Sequence, residues 1–255
     1  MVITHEAGDL TCTVEAGVYL AELQEHVARG GQMLALDPPD HGLTVGAVFD
    51  RALFGPRAHR YGLPRDLVLG VRARLADGTV VHGGGKVVKN VAGYDLPKLF
   101  TGAHGLLGEL LELTLRLHPL PAATMTLVAP PFDPHVVERF HPACVEIAWP
   151  GETMLVRFES PVAAELARAA QAEIGGELIL DDERLWADHR ERQHGLHLHR
   201  CLPADVGLTV EQLAGRGATA VVGRPARGWL FADVAVDESV PTALEQRVIE
   251  RFASR

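Results

Sequence analysis

The chain has 255 residues, of which 47% are hydrophobic and 22% charged, and its formal net charge is −9. That length can bury a real core and suits two compact domains, while an acidic balance without a basic stripe argues against a nucleic-acid surface built on phosphate neutralisation. Three widely spaced cysteines, Cys12, Cys144 and Cys201, form no CxxC pair, which argues against a disulfide framework or zinc ribbon and fits a reducing cytoplasm. The N-terminus, MVITHEAGDL, has no apolar leader, and no apolar run is long enough to span a bilayer. The expectation is an untargeted cytoplasmic protein, associated with a membrane only through partner subunits.

In chain order, Asp9 to Val14 reads as a strand with alternating apolar positions, and Val18 to Arg29 as an amphipathic helix that buries Leu20, Leu23 and Val27 and stops at Gly30-Gly31. Between Asp37 and Arg65 no period holds; the segment is loop-rich, and long ordered loops in compact domains are usually functional. Leu67 to Leu75 and Val80-Val81 form a hairpin across Ala76-Asp77-Gly78-Thr79, because Asp-Gly tolerates positive φ. The prolines of His118-Pro119-Leu120-Pro121 mark a join, with seventeen of the 26 glycines before it and nine after. Dense glycine implies unusual backbone geometry in the first part. Domain boundaries are therefore expected at 1–121, 122–240 and a closing helix at 241–255.

The second part reads as a small sheet with helices on one face. Cys144 to Trp149 and Met154 to Phe158 pair across Pro150-Gly151, a helix runs from Pro161 to Ile174 and ends at Gly175-Gly176, and a strand follows at Glu177 to Leu180. A helix at Glu183 to Arg192 and strands at Leu196 to Leu202, Ala218 to Val222 and Trp229 to Val236 precede the last helix, Pro241 to Phe252.

All three lysines (Lys86, Lys89, Lys98) and the only asparagine (Asn90) fall in one window, in a chain that otherwise draws its positive charge from arginine. Lysine is a point charge on a flexible stem, so its confinement suggests a local requirement. A Walker loop is ruled out because Val87 follows Lys86, and Gly102-Ala-His-Gly105-Leu-Leu-Gly108 has the wrong spacing for a dinucleotide fingerprint. The only serines, Ser160, Ser239 and Ser254, sit in no nucleophile elbow. His197 and His199 share one face of a strand, but no neighbouring ligand spacing supports a metal site, so none is assigned. What remains is a Gly-rich surface, Thr44 to Ala47, Leu53 to Gly55, Tyr61-Gly62 and Gly105 to Gly108, suited to laying backbone against a large flat ligand.

The ordered series DPP (37–39), TVGA (44–47), FGP (54–56), YGLPRDLVLGVRARLADG (61–78), KNVAGYDLPKLFTG (89–102) and GLLGELLELTLRL (105–117) resembles the second FAD-binding subdomain of the vanillyl-alcohol-oxidase/PCMH flavoproteins. Within that family it looks most like the FAD-binding subunits of bacterial glycolate oxidases. The likeness is dense from about Gly8 to Pro121; beyond that it is thinner, resting on Trp186 and LHRCLP, and compatible with the family's cap domain.

The resemblance implies an α+β fold: a mainly antiparallel PCMH-type subdomain with flanking helices, plus a smaller α/β cap domain. It implies non-covalent FAD lined by Pro38, Thr44, Val45, Gly46, Gly55 and Gly62, a loop held by Arg65 and Asp66, and backbone of Glu109 and Leu110 towards the adenosine half. It implies oxidation of a 2-hydroxy acid such as glycolate or D-lactate by hydride transfer to flavin, beside a homologous FAD-containing catalytic subunit and an iron–sulfur subunit. No catalytic base is assigned, although His59 and His104 are placed in loops near the flavin. The family's N-terminal pyrophosphate-binding subdomain and C-terminal Asn-Pro-Gly segment are not found in these residues. Ala47 replaces a glycine and Leu53-Phe54 replace small residues, so weak FAD binding is expected. The alternative is a flavin-free structural or interaction subunit of the same complex.

Overall fold

The computed structural model describes residues 2–40, 42–85, 95–151 and 153–235. Lys86, Lys89, Asn90, Gly93 and Tyr94 lie outside the described residues, as does the helix expected at 241–252. The chain divides into two compact units, Met1–Leu120 and Pro121–Arg255. No described helix is long and apolar enough to cross a membrane.

Unit 1 contains β1 (Val2–Glu6), β2 (Thr11–Glu15), α1 (Leu20–Ala28), β3 (Gln32–Met33), α2 (Val45–Asp50), α3 (Ala58–Tyr61), α4 (Pro64–Leu67), β4 (Val68–Arg74), β5 (Val80–Gly84), α5 (Leu96–Phe100), β6 (Glu109–Arg116) and β7 (His118–Pro119). Its main sheet has the order β1-β2-β6-β4-β5 with antiparallel pairing throughout, and β3 pairs with β7 separately. The central strand β6 alternates Leu113, Leu115 and then Leu117 into the core, where they meet Val14, Leu20, Leu23, Val27, Val45, Val48 and Phe49. Each such buried side chain contributes about 1.5–3 kcal/mol, so β6 and α1 together anchor the unit.

The segment from Asp37 to Arg65, which lacks a sequence period, folds into three short helices because Gly55, Pro56, Gly62 and Pro64 cut it into pieces too short to show one. Asp95, within the 89–102 string, caps α5: its Oδ1 accepts the Lys98 N–H at 3.3 Å, and Lys98 Nζ lies 2.8 Å from Oδ2. These bonds hold the Asp95 carboxyl below the usual carboxylate range, the Lys98 hydrogen bond contributing most. Within the described part of the window, then, one lysine and one carboxylate serve local structure.

Unit 2 contains β8 (Thr124–Ala129), α6 (His135–Glu138), β9 (Cys144–Trp149), β10 (Thr153–Glu159), α7 (Ala163–Ile174), β11 (Glu177–Ile179), α8 (Glu183–Arg192), β12 (His197–Arg200), α9 (Val206–Gly215), β13 (Val221–Arg224) and β14 (Trp229–Ala232). They form a seven-stranded sheet, β11-β8-β10-β9-β13-β14-β12, in which every pairing is antiparallel. Met125, Leu127, Val156 and Phe158 face α7, whose buried stripe of Ala163, Ala167 and Ala170 allows close approach.

The opposite sheet face carries α8, so helices cover both faces and not one. Trp186 Nε1 of α8 donates to Thr126 Oγ1 at 2.7 Å, and Thr126 Oγ1 donates to Asp182 Oδ2 at 2.6 Å. Arg157, 1% exposed, donates to Asp182 Oδ1 at 2.8 Å and also to Glu183, with Glu159 3.6 Å away. Burial pulls the Arg157 pKa down, but Asp182, Glu183 and Glu159 outweigh it and leave it above the ordinary value. Beside this layer, Glu146 lies 3.0 Å from His189 Nε2 and 3.1 Å from Arg224 Nε, and Arg224 donates to Gln193 at 2.9 Å. Composition marks α8 as a surface helix; the sheet face beneath it is polar too, which is why the one-face expectation fails.

Two stability outcomes are expected. Ala52 has φ of 50°, in the left-handed region, where a Cβ costs about 1–2 kcal/mol against an entropic penalty of about 0.5–1 kcal/mol for glycine. Ala52→Gly should therefore raise unfolding free energy by up to about 1 kcal/mol and Ala52→Val should lower it, as read by urea denaturation. Arg157→Leu removes the cation shared by buried Asp182 and Glu159 and should cost unit 2 about 3–5 kcal/mol; a loss below 1 kcal/mol would show that these carboxylates do not depend on it.

Candidate functional site

The site begins at Ala16. Its N–H donates to Leu111 O of β6 at 2.9 Å, and its carbonyl accepts the Gly46 N–H of α2 at 2.8 Å. A Cβ on Gly46 would stand 2.7 Å from Ala16 Cβ, so only glycine allows α2 to lie against this backbone. Val45 N–H donates to Val18 O at 2.8 Å and Leu20 N–H to Leu43 O at 2.9 Å, fastening the same junction on its other side. Thr44 caps α2 through Oγ1, which accepts the Ala47 N–H at 3.2 Å.

Beside this junction opens a cleft of about 660 Å³, lined by Ala16, Gly17, Thr44, Gly46, Ala47, Asp50, Arg74, Leu75, Ala76, Gly105, Leu106, Gly108, Glu109 and Leu110. Asp50 holds one wall: its Oδ1 accepts the Gly105 N–H at 2.7 Å and its carbonyl the His104 N–H at 3.0 Å. Across the cleft, Arg74 and Glu109 sit opposite each other on β4 and β6 and form an exposed ion pair of 2.7 Å. Gly108, at φ 140°, lets the loop meet β4, since a Cβ there would fall 2.3 Å from Arg74 O.

Of the residues expected to line FAD, the cleft brings together Thr44, Gly46, Glu109 and Leu110. Pro38, Val45, Gly55, Gly62, Arg65 and Asp66 are not among its lining residues. Val45 is fully buried in the core. Gly55 answers to the chain itself, because a Cβ would stand 1.6 Å from Asp37 O. Gly62 has φ of 89° over Asp66, whose Oδ2 accepts the Leu63 N–H at 2.9 Å, so Asp66 does organise its loop. Arg65 is exposed and its charge acts on Asp95. His59 belongs to α3, not a loop, and is 4% exposed, which removes it from reach as a base; His104 is exposed.

Gly17 has no counterpart in the sequence reading. It lines the cleft and is exposed, its φ is not in the left-handed region, and a Cβ on it would meet no atom within 4 Å. Neither backbone geometry nor packing requires glycine there, and a side chain would project into open space. Among the described residues no group of three or more His, Cys, Asp or Glu is arranged to hold a metal ion.

Residues 1–84 match the family model described as FAD binding domain, a match that supports FAD as the cofactor of this segment. It is 37% identical over 128 residues to glycolate oxidase subunit GlcE of Escherichia coli (strain K12), a match covering 49% of this chain and 37% of that protein. It is 38% identical over 122 residues to glycolate oxidase subunit GlcD of Bacillus subtilis (strain 168), covering 48% and 26%, and 34% identical over 158 residues to D-lactate dehydrogenase of Archaeoglobus fulgidus, covering 62% and 35%. The chain thus matches well under half the length of each of these relatives. A solved alkyldihydroxyacetonephosphate synthase superposes with a TM-score of 0.67 at 15% identity, covering 100% of this chain and 62% of that one, and shows the shared fold.

The cleft fits part of such a cofactor. Gly17 and Gly105 leave room where side chains would intrude, and both carboxylates accept hydrogen bonds, which suits hydroxyl and ring N–H donors. With two carboxylates and one already paired guanidinium, the donor set does not suit a diphosphate.

Two glycine substitutions separate the roles of the junction and the cleft. Gly46→Ala should cost about 1–3 kcal/mol, because helix and strand must part to admit the methyl group. Gly17→Ala should stay within about 0.5 kcal/mol of the parent or exceed it slightly, since it restrains only the unfolded chain. Thermal and urea unfolding of both variants checks the contrast.

Proposed function

We propose that this chain is an FAD-binding subunit of a 2-hydroxy-acid-oxidising complex of the glycolate oxidase kind, acting on glycolate or D-lactate. The observation that carries the reading is the cleft at the Ala16–Gly46 junction, set in the segment that matches the FAD binding domain. Bound FAD supplies a two-electron acceptor. The chain's own part is to bind: Gly17 and Gly105 admit the ligand, and Asp50 fixes the 102–108 wall. Glu109 and Arg74 offer an acceptor and a donor to the hydroxyl-bearing adenosine half. A homologous flavoprotein subunit and an iron–sulfur subunit are the proposed partners, with the cytoplasm as the proposed compartment.

A second reading has its own observation. Gly46, Gly55 and Gly108 are required by the chain's own close contacts, so they would persist in a flavin-free interaction subunit.

Titration of FAD into the purified chain, followed by flavin fluorescence and absorption, separates the two. Reversible, non-covalent quenching is expected, and Gly17→Leu should weaken it at least tenfold, about 1.4 kcal/mol, with unchanged thermal stability. A colourless chain that quenches no added FAD would sink the first reading and leave the second.

A further inference from the structure

The cleft of unit 1 is bordered by one large apolar side chain that the core does not use. Half of its fourteen lining residues are glycine or alanine, so much of its surface is flat. Of its three leucines, Leu75 and Leu110 are partly buried against the unit 1 core, whereas Leu106 is 87% exposed. A lone exposed leucine is ordinary on a protein surface; this one edges a concave site.

Backbone geometry, not packing, fixes its position. Leu106 N–H donates to Ala103 O at 3.0 Å, closing a turn whose central residues, His104 and Gly105, have φ of 51° and 74°. Three bonds strap that turn to the end of α2: Gly102 N–H to Phe49 O at 3.0 Å, His104 N–H to Asp50 O at 3.0 Å and Gly105 N–H to Asp50 Oδ1 at 2.7 Å. Leu106 is therefore held at the cleft wall in advance, and little further ordering is needed on binding. The charged groups beside it are acidic or already paired, Asp50 with Gly105 and Arg74 with Glu109. A ligand that covers the leucine must bring an apolar face, and a ligand that suits the carboxylates must bring donors and no negative charge. A nucleobase on its ribose has both features.

We propose that Leu106 selects the adenine ring in this cleft, its side chain lying against the face of the base while Glu109 accepts from the ribose. This role rests on the reading of the cleft as the seat of the adenosine half of FAD, and it makes the base, not a phosphate, the group that the wall recognises.

Adenosine, followed by calorimetry, and FAD, followed by flavin fluorescence, are titrated separately into the full-length parent and three variants. Leu106→Ala should weaken both ligands about tenfold through lost apolar contact, while Leu106→Met, which keeps a long apolar side chain, should stay within about twofold of the parent. Thermal unfolding should be unchanged in both, because the side chain lies outside the core. The native tryptophans, Trp149, Trp186 and Trp229, all belong to unit 2, so Leu106→Trp adds the one indole of unit 1, and adenosine should quench its emission relative to the parent. If Leu106→Ala binds both ligands as tightly as the parent, the role of Leu106 is overturned and the FAD reading stands. If the parent binds adenosine in a manner that depends on Leu106 but does not bind FAD, the FAD reading falls and the role of Leu106 stands. A parent that binds neither ligand overturns both.

Discussion

The contact between Ala16 and Gly46 is the constraint on which the cleft of unit 1 depends. Two backbones meet there with no side chain between them. Ala16 bonds β6 through its N–H and α2 through its carbonyl, at 2.9 and 2.8 Å. A methyl group on Gly46 would press on both the side chain and the carbonyl of Ala16, at 2.7 and 3.0 Å. Because interiors are close-packed, that pressure could not be absorbed locally. The helix would be displaced, and with it Thr44, Ala47 and Asp50, which line the cleft. Through the bond from Asp50 to Gly105, the 102–108 wall would follow. The shape of this cleft is thus set by a packing contact between two of its own lining residues.

Legibility in the sequence tracks how far each element depends on its own residues. α1 and the hairpin of β4 and β5 are readable because their periodicity and turn chemistry are local. β6 is not, since Leu and Glu favour helices and its strand state comes from lying between β2 and β4. β8 lies just beyond the prolines of the join, and α9 contains two glycines, so neither shows a clean period. Within the site, a glycine demanded by a neighbouring backbone and one that borders open space look identical in sequence. That is why Gly46 and Gly55, each pressed against a neighbouring backbone, cannot be told in sequence from Gly17, which borders open space. What a Cβ would meet is decided by residues distant in sequence.

Unit 2 shows the same limit for charge. Arg157, Asp182, Glu146 and Arg224 lie in elements whose composition suggests an exposed face, yet each is nearly or fully buried. Buried ion pairs contribute little net stability against an apolar alternative, but removing one partner is severe. Their position accounts for the geometry: Trp186 and Asp182 both bond Thr126, and Asp182 also bonds Arg157, so α8 has one register on the sheet. An apolar interface of equal area would allow sliding that this set of directional bonds forbids.

In the proposed reading, the charge of the unit 1 cleft bears on which part of FAD it selects. Specificity built on hydrogen bonds to hydroxyl groups is sharp, because an analogue lacking the hydroxyl leaves the protein's polar groups unpaired. Arg74 and Glu109 are already paired at the surface, where such a bond contributes roughly 0–1 kcal/mol. Opening or sharing it therefore costs little, and a ribose hydroxyl can take the place of either partner. A diphosphate would instead bring two negative charges towards Asp50 and Glu109, with one guanidinium to offset them. In the proposed reading this cleft discriminates among nucleosides and leaves diphosphate recognition to donors outside it.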